Sequence, residues 1–209
     1  YMLYRFNVAS YAAMPRRNPF LVDMQAAAQG VVVGTAGWPE RLEQNKRAFA
    51  RAWVGRPEFT NAFPATLSPA AFVSQLFQNA GVVPTDAERD ALVAELTASN
   101  NAEGRASVLR KVAEHPSLAL KEKNRAFVLM QYFGYLRRDP DEGQDTNLDG
   151  YNHWLQKLEQ FNGDYVRAEA ADGSSTNNAM FGTPQNDGGT PRMQMYLWTG
   201  LPSHQVVVS

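Results

Sequence analysis

The sequence predicts a mainly α-helical fold, built from about three copies of a three-helix unit and followed by an irregular, partly β tail. An aromatic helix closed by a proline occurs around Phe72 with Pro84 and again around Phe127 with Pro140. Proline ends helices because it lacks an N–H and clashes with the preceding turn. Strand-like alternation is nearly absent up to residue 165, and beyond it Gly, Asn and Thr become frequent.

Length and composition limit the function classes. The chain has 209 residues, of which 44% are hydrophobic and 20% charged, as is usual for one or two globular domains with a core. The net charge of −1 argues against a basic nucleic-acid surface. The absence of cysteine excludes disulfides, thiolate metal sites and cysteine nucleophiles.

Neither a leader nor a membrane span is predicted. No apolar stretch of about 18 residues occurs, so we expect no helix that crosses a membrane. The chain opens on Tyr1, in what reads as the middle of an amphipathic helix without a charged leader. We therefore expect Tyr1 to be a fragment end or a processed terminus.

The first copy of the unit covers residues 1–66 and is partial. Its first helix carries Tyr4 and ends at Pro15. A second helix is predicted from Trp38, and a third passes through Trp53 before the next proline.

The second copy covers residues 67–122 and has all three helices. After the helix around Phe72, the run that begins with Thr85 and Asp86 has the composition of a helix start, with either residue as the N-cap. The third helix begins near Arg105.

The third copy covers residues 123–165 and lacks its last helix. Its second helix places Trp154, Leu155 and Leu158 on one stripe, which is the spacing of a face packed against a core.

The tail, residues 166–209, has a different composition. Two turn-forming stretches, residues 171–178 and 185–190, come before a run of alternating type, from Met193 to Trp198, and the β-branched run of residues 206–208. Both runs suit strands. Residues 31–33, three valines, are the only comparable run in the helical part.

The helical copies resemble a bacterial family known as domain of unknown function 4214. The matching residues are Arg138, Pro140 and Asp141 in a turn, followed by Gly150 and Trp154. The likeness covers about residues 60–165 well and the first 60 residues more loosely, and is greatest to versions in large acidobacterial exported proteins. It implies all-α modules with a structural or adhesive role outside the cell or at its surface, and it does not imply an enzyme.

The tail is similar to a segment of secreted fungalysin metallopeptidases that lies upstream of their zinc-binding helix. The similarity rests on two stretches, residues 167–179 and 191–198. Zinc peptidases of this kind require a His-Glu-x-x-His motif, with two imidazoles one helical turn apart. None of the three histidines, at 115, 153 and 204, has a second histidine four residues away. The resemblance therefore implies an active site outside this chain.

One stretch fits the opening of a calcium loop. Asp145, Asn147 and Asp149 stand at positions one, three and five, and a glycine follows at six. Position twelve is Gln156, where calcium loops carry a bidentate glutamate, so a weak site is expected. The alternative is a polar turn in which Asp149 starts a helix, where a carboxylate favours the helix dipole.

These observations predict a non-catalytic helical repeat module of a bacterial exported or surface-associated protein, with a role in assembly or adhesion. Two alternatives remain open: an accessory segment of a secreted fungalysin-like peptidase, or a scaffold subunit of a larger assembly. The expected partners are proteins or further copies of the chain, and no cofactor beyond calcium is predicted.

Stacking of a glycan on Tyr132 or Trp154 is a further use of the aromatic side chains, although such sets at helical spacing mostly form core.

Overall fold

The computed structural model describes residues 1–143, 146–165, 167 and 168. Every regular element among them is helical, so the mainly α prediction is confirmed for this part of the chain. The predicted strands of the tail, residues 166–209, lie outside the described residues. The three valines at 31–33 form no strand and belong to a loop.

Nine α-helices and one short π-helix make up the described chain. They are α1 (Met2–Tyr11), α2 (Arg17–Ala28), α3 (Trp38–Val54), α4 (Pro57–Ala62), α5 (Pro69–Ala80), α6 (Asp86–Ala98), α7 (Ala102–Ala113), α8 (Pro116–Gln131), the π-helix (Tyr132–Leu136) and α9 (Asp149–Gln160). In the described range, none of these helices combines the length and the apolar character that a membrane crossing requires.

The chain divides into two compact units, Tyr1–Ala126 (unit 1) and Phe127–Ser209 (unit 2). In unit 1, α1 packs against α5 and α7, and α3 packs against α7 and α2. The core between these helices is rich in aromatic rings that meet edge to face or stacked, the arrangements that ring quadrupoles favour. Its fully buried aromatic side chains are Tyr4, Phe6, Phe59, Phe63 and Phe72. The division into repeat copies at residues 66 and 122 stays a prediction.

The helix starts follow local sequence rules. Thr85 caps α6 in a capping box: its hydroxyl accepts from the Glu88 N–H, and the Glu88 carboxylate accepts from the Thr85 N–H. Pro57 and Pro116 stand where the preceding helix has ended, as predicted, but each is also the first residue of the next helix. Proline suits the first helical position because the N–H that it lacks has no partner there anyway.

Two helices of the first copy differ from the prediction. Residues 38–54 form the single helix α3 where two helices were expected, because no proline or glycine interrupts the chain after Pro39. The helix α2 was not predicted at all. Its one buried carboxylate, Asp23, is held by two hydrogen bonds from the Arg56 guanidinium, at 2.5 and 3.0 Å, so α2 is fixed by an ion pair as well as by apolar contacts.

Side chains from neighbouring helices satisfy several helix C-termini in unit 1. The last carbonyls of a helix have no hydrogen-bond partner within the helix. A cation or an amide from a neighbouring helix can donate to them and so satisfy an acceptor that would otherwise lack a partner. The donors are Asn79 for α1, Asn45 for α2, Lys121 for α5 and Arg5 for α7.

Unit 2 contains the end of α8, the π-helix and α9. Arg137 directly follows the π-helix and takes a left-handed conformation with φ 53°. The ring centroid of Tyr132 lies 6.3 Å from that of Tyr151 on α9, and both side chains are buried. Trp154 is half-buried and Leu155 and Leu158 are buried, so the predicted stripe of α9 is its packed face.

Candidate functional site

A charged groove of about 400 Å³ lies between α3 and α7 in unit 1. Two buried alanines, Ala50 and Ala106, contribute to its lining. Long charged or polar side chains form its sides, and these are Arg47, Glu103, Ser107, Arg110, Lys111 and Glu114. Because both helices contribute cations and carboxylates within reach of each other, the groove is the place in unit 1 where site chemistry would be sought.

Arg110 is the central group of the groove. Its two terminal amino groups donate to the two carboxylate oxygens of Glu43 on α3, at 2.5 and 2.9 Å, and its Nε donates to Glu114 at 3.2 Å. The hydrogen bond from Arg110 is the main reason why the pKa of Glu43 lies below its ordinary value. The same bond raises the pKa of Arg110. This bidentate pair therefore connects α3 to α7.

A serine, a glutamate and a lysine meet at one end of the groove. Ser107 Oγ donates to Glu95 Oε1 at 2.6 Å, and Lys111 Nζ lies 2.5 Å from Glu95 Oε2. Burial acts to raise the pKa of Glu95, but the hydrogen bonds from Lys111 and Ser107 outweigh it, so that the pKa is lowered. A carboxylate with a lowered pKa is a poor base, and Lys111 contacts that carboxylate rather than the hydroxyl. The three residues are therefore not arranged as an activated nucleophile.

The remaining charges of the groove also meet opposite charges. Arg47 Nε lies 3.3 Å from Glu43 one turn earlier on α3, and Arg51 lies 3.5 Å from Glu103 on α7. Exposed pairs of this kind contribute little each, about 0–1 kcal/mol. Together with the Arg110 pair, they make the groove a network that holds two helices in register.

The shift at Glu43 predicts a pH dependence of stability. A lowered pKa in the folded chain stabilises it above the ordinary carboxyl value of 4.5, and this contribution is lost as the pH falls below that value. Because the Glu43 side chain is 38% exposed, solvent screening keeps the contribution below about 1 kcal/mol.

We expect Glu43→Gln to lower the urea midpoint slightly at neutral pH and to leave it unchanged at acid pH. The same change in an Arg110→Gln background is the matched control: because the main partner of Glu43 is then absent, the midpoint should fall less at neutral pH. An equal decrease in both backgrounds at neutral pH would contradict the prediction.

The structure describes three of the four predicted calcium ligands, namely Asn147, Asp149 and Gln156. Asn147 and Asp149 are exposed and bonded to each other: the Asn147 amide donates to Asp149 Oδ2 at 2.8 Å, and the Asp149 N–H donates to Asn147 Oδ1 at 3.0 Å. Gln156 is exposed on α9, which begins at Asp149, so about 10 Å of helix separate it from that pair. Asp145 lies outside the described residues. Among the described ones, no group of three or more His, Asp or Glu is placed to hold a metal ion.

Calcium binding therefore stays a prediction. We expect calorimetric titration of the chelator-treated chain to show weak binding of calcium that Asp145→Ala removes. If millimolar calcium produced no heat of binding and no shift in melting temperature, the calcium site would be contradicted.

The described histidines serve as local contacts. His115 Nδ1 accepts the Ser117 N–H at the start of α8, and its Nε2 lies 3.3 Å from Glu88 Oε1. The ring of the exposed His153 meets that of the half-buried Trp154 edge to face. His204 lies outside the described residues.

Sequence reasoning missed the groove. Its signal is present as charge pairs spaced by four residues, Glu43 with Arg47 and Arg110 with Glu114. What joins these two pairs is the contact of Glu43 with Arg110, which are far apart in the chain.

Comparison with known proteins gives one family match. The model of the fungalysin metallopeptidase family (M36) matches residues 144–205, which is less than a third of the chain. No curated protein and no solved structure matches it. The resemblance to domain of unknown function 4214 finds no support in these comparisons. The similarity to fungalysins, expected for residues 166–209, is confirmed as far as residue 205, and it extends back to residue 144 to include α9 and the predicted calcium loop.

Proposed function

We propose that the chain is a non-catalytic helical module of a bacterial exported or surface-associated protein, with a structural role in assembly or adhesion. The observation that carries this proposal is the pairing of charges in the groove between α3 and α7. The carboxylates and cations that could act as acid, base or nucleophile there are used to connect the two helices, as Arg110 and Glu43 illustrate. Charged groups paired in this way hold the helices of a scaffold together and are not available as reactive groups.

A second candidate is supported by the family match. Residues 144–205 are similar to fungalysin metallopeptidases, so the chain would be an accessory segment of a secreted fungalysin-like protein. Within the matched range the histidines are His153 and His204, which are far too distant in sequence for a His-Glu-x-x-His motif. In this proposal the zinc ligands come from residues outside the chain.

Hydrolysis of an unfolded protein tests the first proposal. The full chain is incubated with zinc and labelled, unfolded casein, and we expect no more cleavage than in buffer alone. Cleavage that a zinc chelator abolishes would overturn the non-catalytic assignment. Fractionation of the native bacterium tests its location: the chain should occur at the cell surface or in the medium, and confinement to the cytosol would contradict the proposal.

The coding sequence around the chain separates the two candidates. A His-Glu-x-x-His motif downstream and in frame supports the peptidase segment. Further helical copies, or a stop codon, support the structural module.

A further inference from the structure

The loop between α2 and α3, residues 29–37, is an open segment of unit 1 with exposed apolar side chains. Val32 and Val33 are 61% and 58% exposed. Three glycines, Gly30, Gly34 and Gly37, take positive φ angles of 69°, 90° and 76°. No heavy atom lies within 4 Å of an ideal Cβ built on any of them, so the surroundings of the loop are open.

Few interactions hold the loop in its present form. The Thr35 N–H and hydroxyl both donate to the Val32 carbonyl, at 3.2 and 2.7 Å. At its start, the Asn45 amide donates to the Gln29 carbonyl at 2.8 Å. An extended conformation of the valines therefore requires the loss of this turn and of the hydrogen bond from the Val31 N–H to the Ala28 carbonyl at 3.0 Å, while the helices on either side stay in place.

From these observations we infer that the loop is the preferred proteolytic cleavage site of unit 1, cut between Val32 and Val33 by a serine peptidase with a small apolar specificity pocket. Such enzymes bind an extended stretch of chain, and a small pocket accepts side chains of valine size. Exposed loops with small residues are the preferred places for a cut.

The covalent step is an ordinary hydrolysis. The peptidase serine takes the Val32 acyl group while the bond to the Val33 nitrogen breaks and the new amine leaves with a proton. Water then releases Val32 as a carboxylate and restores the serine. Only water is consumed, and no oxidant or reductant is needed.

A second exposed valine shows why this loop is favoured. Val83 is 95% exposed, but the bond after it leads to Pro84, which has no N–H to pair with a peptidase. That loop is also short, since α5 ends at Ala80 and α6 begins at Asp86. Lys121 holds its start through the Gly81 carbonyl at 3.2 Å.

A cut at Val32 leaves the first two helices attached by non-covalent contacts. The Tyr4 hydroxyl donates to the buried Glu122 carboxylate at 2.9 Å, and the Arg5 Nε donates to the Ala113 carbonyl at 2.5 Å. Trp53 donates to Ser10 Oγ at 3.0 Å. The nicked chain is therefore expected to remain one particle.

Limited digestion of the full chain with pancreatic elastase tests the inference. Mass spectrometry over time should show that the first cut within residues 1–126 creates an amino terminus at Val33. Size-exclusion chromatography should elute the nicked chain as a single species that contains both fragments. A first cut elsewhere within residues 1–126 would overturn the proposed site, and separation of residues 1–32 would overturn its consequence.

A pair of matched variants adds a quantitative readout. Val32→Glu places a charge where the specificity pocket is apolar and should slow this cut at least about tenfold. Val83→Glu makes the same change on the other exposed loop and should leave the rate unchanged. Both valines are exposed, so neither change should prevent folding, which far-ultraviolet circular dichroism verifies. Equal rates for the two variants would contradict the inference.

Discussion

Trp53→Ala is expected to lower the free energy of unfolding of unit 1 by about 3–5 kcal/mol, the usual range for loss of a buried large aromatic side chain. Trp53 is 2% exposed, and its ring lies 5.8 Å from that of Phe6 on α1 and 5.6 Å from that of Phe49. The Arg56 guanidinium lies 4.3 Å from the centre of its ring. Alanine would leave a cavity between α1 and α3, beside the Phe6 and Phe49 rings, and would also leave the Ser10 hydroxyl without its donor.

Urea denaturation followed by far-ultraviolet circular dichroism measures the loss. Trp53→Phe is the control, because it keeps most of the apolar volume and removes the N–H that bonds Ser10. It should cost about 1–2 kcal/mol, the size of one buried hydrogen bond together with a weaker cation–π contact. A loss below about 1 kcal/mol for Trp53→Ala would show that the site relaxes around the gap and that this cluster is not the centre of the core.

Local sequence rules predicted the start of α6, which the structure shows as the Thr85 capping box. Signals of the same short range stand at the starts of α5 and α7, as Pro69 after Ser68 and as the Asn101 cap, although the sequence analysis did not use them. Nothing similar marks α2. It has no broad apolar stripe, and its burial depends on partners such as Arg56, which follows much later in the chain. Periodicity alone does not detect a helix whose burial depends in part on such distant contacts.

The groove between α3 and α7 shows the same limit for the candidate site. Each helix shows its own charge pairs in the sequence, but the bond between Arg110 and Glu43 depends on how α3 and α7 pack. The fungalysin similarity, in contrast, rests on particular residues in order and was found from the sequence. The spacing of Gly150 and Trp154, which suggested the other family, is a helical spacing that many families share, and these residues also lie inside the fungalysin match.

Gly104→Ala is expected to destabilise unit 1 by about 2–3 kcal/mol, in the upper part of the range for an overpacked site. This direction is the reverse of the usual one, since alanine in place of a helical glycine normally stabilises by about 1 kcal/mol. Gly104 is buried in the first turn of α7, where its N–H donates to the Asn101 cap at 3.0 Å. A Cβ there would overlap the Ser99 backbone oxygen and lie 3.0 Å from the Ser99 carbonyl carbon. The backbone cannot rotate away as a long side chain would, so α6 and α7 would have to move apart.

Gly55→Ala separates this steric effect from helix propensity. Gly55 follows α3 with a φ of −88°, which any residue adopts, and its Cβ would meet the Ala52 oxygen at an ordinary 3.5 Å. We expect that variant to match the original chain in urea denaturation within about 0.5 kcal/mol. If Gly104→Ala proved as stable as Gly55→Ala, the turn between α6 and α7 would have room that the structure does not show. The close approach of Ser99 would then not explain why glycine stands at this position.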